Sequence, residues 1–380
     1  MLALKGTTIG TRELRFVFLV FLFSRLVIFA AMAVSPRFIA PVTGPGVWNL
    51  DNPLVRPLFR WDTGWYMSIS KKGYSYNGNP RQRQNIAFFP LYPLTCRLCH
   101  AVTGLSIPFC AVFLSNVAFF IGLAALYALV SWEIGPDVAR SAILLLAFFP
   151  ASFFFSTMYA ESFSLAFSVL AYASFRRQKF VKGGIWAGLA SATRPPGILL
   201  MVPLLSEGYS CLRERRKAIA VALAALLTAS GIGLFFLYSW IAFGDPLVPI
   251  KIHQAPGWRG GFALPFSSIA LAFRQTFDAS YSSLPFDAWF GLLFIALACR
   301  GDAQLPRSYA VYSVLSLAMP LFTVGGVWSM IRHANVVFPC FMVLGIIAQR
   351  SRWILWALLP FFTLTLVYLS MRFAQWYLVG

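Results

Sequence analysis

Along the chain, long apolar runs alternate with short polar segments at intervals that suit a bilayer better than an aqueous core. Residues 14–34, 108–131, 217–243 and 352–371 approach or exceed the ~20 apolar residues needed to cross the hydrocarbon core. They predict four continuous membrane helices. Two further apolar stretches are interrupted. The run 139–175 breaks around Pro150 to Glu161, which predicts a helical hairpin. The run 183–206 breaks at Arg194-Pro195-Pro196-Gly197, where proline blocks helix continuation, and predicts two half-spans. Spans of similar strength recur to the C-terminus, so the first is read as a membrane helix and not as a cleaved signal.

The basic residues give these spans a direction. Arg12 and Arg15 precede the first run, and Arg176, Arg177, Lys179 and Lys182 form a second cluster. Arg213, Arg215, Arg216 and Lys217 form a third, and Arg300 with Arg307 and Arg350 with Arg352 supply two more. Placing all five inside predicts an all-α polytopic membrane protein of about eleven transmembrane or re-entrant helices, N-terminus inside and C-terminus outside. The whole of 1–380 reads as one transmembrane domain. Segment 35–107 becomes a long extracytoplasmic loop, joined on that face by the turns at Tyr159–Glu161, Arg194 and 324–334 and by the loop 244–285. Segment 35–107 carries cations of its own, but long loops translocate largely regardless of charge.

Composition narrows the partners. Of the 380 residues, 59% are hydrophobic and 11% charged, far below the charged share of a soluble domain, so lipid solvates much of the chain. The formal charge of +19 is read as topology determinants and contacts with membrane lipids. No basic patch with exposed stacking aromatics forms a nucleic-acid module, so nucleic acid is set aside. With three His and no metal-ligand spacing, neither a divalent metal nor another cofactor is expected.

Ionisable groups at membrane depth are costly and usually have a task, and the unusual ones here converge on one face. Asp62 lies in Arg60-Trp61-Asp62-Thr63-Gly64-Trp65-Tyr66. It is either a helix N-cap between interfacial tryptophans or a catalytic carboxylate. Glu161, in Tyr159-Ala160-Glu161-Ser162, is either a carboxylate favoured by a helix dipole or a second acid facing Asp62. Arg194 sits at a forced helix break, where irregular backbone is tolerated mainly if it lines a cavity, and a functional role is assigned to it. Arg332 and His333 supply a cation and a titratable ring at the outer face, or a headgroup anchor. Arg25, mid-span in the first helix, pairs internally or reaches the cavity. His253 and Arg259 belong to the loop 244–285, exposed or lining a pocket. Cys96-Arg97-Leu98-Cys99-His100 has the spacing of c-type haem attachment. It sits in an apolar helix-like run with no other sign of electron transfer, and is read as free thiols or a disulfide.

Five separated blocks are similar, in content and order, to one family: FRWDTGWYMSISKKGYSY (59–76), NIAFFPLYPL (85–94), MYAES (158–162), ATRPPG (192–197) and SMIRHANVVFPCF (329–341). They resemble the PIG-V-like mannosyltransferases of the GT-C glycosyltransferase superfamily. The resemblance implies a GT-C-type helical bundle and a polyprenyl-phosphate-linked mannose as donor. It also implies a hydroxyl of an extracytoplasmic glycan, lipid or protein as acceptor, and makes Asp62 the catalytic acid of the first outer loop. Family members often carry Arg-Tyr where this chain has Arg332-His333. An inverting transfer needs a base for the acceptor hydroxyl, the role of Asp62, with Glu161 positioning the acceptor or a sugar hydroxyl. Arg194, Arg332, Arg60, Lys71 and Lys72 are the candidates to hold the departing lipid phosphate. Trp61, Trp65, Tyr66, Tyr159 and His333 are the candidates to line the sugar and lipid. A membrane transporter or lipid flippase is the alternative, because broken helices and buried Arg occur there too, although the chain shows no internal repeat. The length, short for a eukaryotic member, implies a prokaryotic cell membrane, or the endoplasmic reticulum membrane in a eukaryote.

Overall fold

Four stretches are helical, long and apolar enough to cross a bilayer: Thr11–Arg37, Ile107–Glu133, Arg215–Phe243 and Arg352–Ala374. The structure, a computed structural model, describes residues 3–4, 7–42, 55–256, 258, 260–275 and 284–379. Apart from a two-residue antiparallel pairing of Ala3–Leu4 with Thr7–Thr8 and an isolated bridge between Phe262 and Thr323, its regular structure is helical.

The first long run forms α1 (Thr11–Val34). Within the expected outer segment 35–107 the chain forms α2 (Thr63–Lys72) and α3 (Leu91–Thr103). There follow α4 (Ile107–Glu133), α5 (Pro136–Ala147) and, after a break, α6 (Glu161–Arg176). The hairpin expected over 139–175 is this α5–α6 pair. Its break is buried, and Phe149 within it packs against Phe290, Phe294, Phe341 and Phe362. Non-helical backbone in such a place leaves carbonyls without intrahelical partners. Arg25 of α1 supplies them, donating to Ala147 O (3.1 Å) and Ser152 O (2.9 Å) and to the hydroxyls of Ser152 and Ser156. It pairs internally, with neutral oxygens.

The second interrupted run gives α7 (Phe180–Thr193) and α8 (Met201–Gly208), separated by a 3-10 turn over Pro195–Leu200. Arg194 is extended (φ −155°, ψ 148°), as expected of a residue before proline. Next come α9 (Arg215–Phe243), α10 (Val248–Lys251), α11 (Pro265–Gln275), α12 (Leu284–Arg300), α13 (Arg307–Leu321), α14 (Met330–Asn335), α15 (Phe338–Arg350) and α16 (Arg352–Ala374). Phe23, Leu226, Trp356 and Leu364 of the long helices are 61–74% exposed, as side chains facing lipid would be.

Helices α7 and α9 approach closely through small residues, the usual device where no hydrophobic force draws helices together. A Cβ on Gly184 would lie 2.6 Å from Ala224 Cα, and one on Gly231 would collide with the Gly188 carbonyl and Ser191 Oγ. Gly233, two residues on, has open space around it. Gly231→Ala is therefore expected to destabilise the detergent-solubilised protein by about 1–3 kcal/mol through overpacking. Gly233→Ala should leave stability unchanged or raise it by up to about 1 kcal/mol through helix propensity. Thermal denaturation of the two variants side by side checks this.

Candidate active site

Four irregular pieces of backbone deliver the site, one of them the α7–α8 break that carries Arg194. The first is the approach to α2. Arg60 donates to Ala374 O (3.0 Å), Phe59 O (2.9 Å) and Arg56 O (2.5 Å), and its guanidinium lies over Trp376. The Trp61 indole donates to Tyr377 O at 3.0 Å. This anchorage to the C-terminal segment holds Trp61 in the left-handed region (φ 55°), a conformation that costs a bulky residue energy and persists only when its surroundings fix it. Asp62 then occupies the N-cap position of α2, but its carboxylate makes no capping hydrogen bond.

The second piece is the break before α6. Tyr159 Oη accepts from the Asp62 N–H (3.2 Å) and donates to Arg60 O (3.2 Å), tying this break to the approach to α2. Glu161, the first residue of α6, is 1% exposed. The third piece is the turn into α14, where Ser329 is left-handed (φ 64°). Buried Asp287 of α12 accepts the Ile331 N–H at 2.9 Å, and Asn335 donates to Ala151 O at 3.0 Å, so both ends of α14 are fixed.

The side chains meet in a chain of ion pairs. Arg332 Nη1 donates to Asp62 Oδ2 (3.0 Å) and its Nε donates to Glu161 Oε1 (2.7 Å). Arg194 donates to the same Oε1 (3.0 Å) and to His333 Nδ1 (3.3 Å), which makes Nδ1 the acceptor nitrogen of that imidazole. The Arg332 guanidinium lies over the Tyr159 ring, 4.8 Å from its centroid. Burial alone would lower the pKa of Arg332; Glu161 and Asp62 more than offset it, and the net shift is upward. Burial, reinforced by Glu161, pushes the Tyr66 phenol up and keeps it a neutral donor. Glu161 Oε2 is buried without a hydrogen-bond partner, an orphan acceptor beside the cluster. Asp62 is the open end, with its side chain 31% exposed.

The sequence candidates thus separate. Asp62, Glu161, Arg194, Arg332, His333 and Tyr159 come together, with Tyr66 beside them. Arg60 is spent on backbone carbonyls, and burial with neighbouring Arg56 pushes its guanidinium down to about 10. Lys71 and Lys72 are exposed at the far end of α2, roughly 14 Å from Asp62 along the helix axis. Trp61 packs edge-on against Trp376. Trp65 packs against Phe88 and Trp258, and His253 packs on the latter ring; Arg259 lies outside the described residues. Cys96 and Cys99 are free thiols on α3, and His100 Nδ1 donates to Leu105 O. Asp287 and Asn335 escaped the sequence reading. Asp287 carried a usable signal, a lone acid inside an apolar run.

The family model described as Mannosyltransferase (PIG-V) matches residues 7–243. No curated protein matches the chain. Among solved structures, ArnT from Cupriavidus metallidurans bound to undecaprenyl phosphate aligns at a TM-score of 0.52 and 16% identity, over 88% of this chain and 60% of that one. The Archaeoglobus fulgidus oligosaccharyltransferase with zinc and sulfate aligns at 0.47 and 13% identity, over 95% and 53%. The chain therefore spans about three fifths of the length of ArnT and shares its fold, that of the GT-C glycosyltransferases.

The geometry makes Glu161 the structural joint of the cluster. Glu161→Ala leaves two buried guanidiniums facing one partly exposed carboxylate and is expected to cost about 3–5 kcal/mol. Asp62→Asn, at the open end with Arg332 still held by Glu161, should cost less than about 1 kcal/mol. Denaturation of both variants in the same detergent measures the difference.

Proposed function

The chain belongs to the mannosyltransferase (PIG-V) family, and on that premise we propose that it transfers mannose from a polyprenyl-phosphate carrier to a hydroxyl of an extracytoplasmic acceptor, with inversion. It is a multi-pass membrane protein. We place the site on the outer face of that membrane, a reading supported by the charge clusters between the spans.

The observation that carries this reading is Arg332 bridging Asp62 and Glu161. A carboxylate with one oxygen held by a guanidinium and its side chain partly open to solvent is a suitable base. Asp62 takes the proton of the acceptor hydroxyl as that oxygen attacks the anomeric carbon. The bond from that carbon to the phosphate oxygen breaks, and the polyprenyl phosphate leaves with the electron pair. Its charge requires no proton if cations receive it. Arg332 and Arg194, both paired to carboxylates and not to backbone, are the residues for that contact. Glu161 Oε2, buried and unpartnered, accepts a hydroxyl of the bound sugar. Tyr66 and Tyr159 wall the cluster. Lys71 and Lys72 are left for headgroup contact further along α2.

The test is transfer from radiolabelled polyprenyl-phosphate mannose by the purified protein. Asp62→Asn is expected to lower turnover by ~10²–10⁴ with the fold intact, and Arg332→Gln by ~10²–10³. Arg60→Gln should instead act chiefly on stability. A folded Asp62→Asn protein that turns over at the parental rate removes the base from this mechanism.

A further inference from the structure

At the end of the bundle opposite the Asp62 cluster, α12, α13 and α15 enclose a cavity of about 560 Å³. The separation is set by the chain: α13 begins at this cavity with Arg307 and runs 15 residues, roughly 22 Å, towards the segment that carries Arg332. Arg300 and Arg307 stand at its rim, either side of the turn 301–306, and both are exposed. Among the described residues neither has an ion-pair or hydrogen-bond partner. The one carboxylate lining the cavity, Asp302, is already taken by Arg350 at 3.0 Å.

Inward from the rim the lining becomes apolar, with Leu297, Cys340 and Val343, and the Ser313 hydroxyl is donated to Tyr309 O. The outer faces of α12 and α13 expose Trp289, Val311 and Leu315, so they meet lipid and the rim lies where headgroups would be. A volume of this size falls in the range of small-molecule pockets. Two unengaged guanidiniums above an apolar interior are complementary to a phosphate ester with a hydrocarbon tail.

We propose that this cavity is a binding site for a phosphate-bearing amphiphile, the phosphate on Arg300 and Arg307 and the tail among the apolar walls, separate from the site of sugar transfer. A cluster of cations at a membrane face needs no site to explain it, since the positive-inside bias alone produces one. What sets this pair apart is the cavity beneath it. Arg215 and Arg216 at the start of α9 are exposed cations that do not line it, and they provide the internal comparison.

Native mass spectrometry of the full chain, titrated with phosphatidylglycerol, reads the site without reference to activity. The parent and Arg215→Gln/Arg216→Gln should retain one phosphatidylglycerol with similar affinity. Arg300→Gln/Arg307→Gln should weaken it at least about tenfold. Val343→Trp, which fills the apolar interior and keeps both arginines, should do the same. Diacylglycerol and glycerol 3-phosphate, each lacking one half of the ligand, should bind much more weakly than the lipid. Equal losses in the two arginine variants would reduce the effect to general headgroup attraction and overturn the proposal. So would undiminished binding in Val343→Trp, or glycerol 3-phosphate binding as tightly as the lipid.

Discussion

One carboxylate oxygen organises the site. Glu161 Oε1 accepts from Arg332 at 2.7 Å and from Arg194 at 3.0 Å, and each partner comes from a place where a helix is interrupted. In a buried setting an ion pair gains from the low dielectric only if both charges stay partnered, and losing one partner exposes the full desolvation cost of the other. The start of α6, the α7–α8 break and the short α14 are thereby locked to one atom. Asp62 joins through Arg332, so the most accessible group of the cluster is also the one least needed to hold it together.

The charge arrangement has a consequence for the proposed reaction. Asp62 and Glu161 balance Arg194 and Arg332 without any substrate. A lipid phosphate that reaches Arg332 must compete with Asp62 Oδ2 for the same Nη1. Binding the donor and releasing the base are then two sides of one exchange, favouring a base that is fully free only once the donor is in place. Water-filled resting sites would not couple the two events. Here the coupling comes from geometry, with the approach to α2 held rigidly by Arg60 and Trp61 against the C-terminal segment.

Much of this was legible in the chain. The runs 14–34, 108–131, 217–243 and 352–371 lie within the four stretches long and apolar enough to cross a bilayer, because a continuous apolar run leaves a helix little alternative in lipid. Arg194-Pro195 marked its own break, since proline constrains the residue before it. Segment 35–107 was less transparent: α2 and α3 are short, pack chiefly on each other and on α4, and neither carries a run of membrane-spanning length. The choice for Asp62 between cap and site was undecidable locally, because its carboxylate binds a guanidinium 270 residues away. Proximity in sequence misled in the other direction. Lys71 and Lys72 share a block with Asp62, yet a ten-residue helix carries them to its other end.

The arginines show why partner chemistry says more than burial. Arg25, Arg60, Arg194 and Arg332 are all largely buried, and sequence alone treats Arg60 and Arg332 as equal candidates for a phosphate. Arg25 and Arg60 donate to backbone carbonyls and hydroxyls. Drawing either towards an anion would orphan those buried acceptors, at a cost of about 1–3 kcal/mol each. Arg194 and Arg332 donate to carboxylates, and a carboxylate released from a guanidinium can take a substrate hydroxyl in its place. Exchange is thus open to the second pair and closed to the first. The same residue type serves as frame or as instrument according to whether its acceptors can find another donor when it leaves.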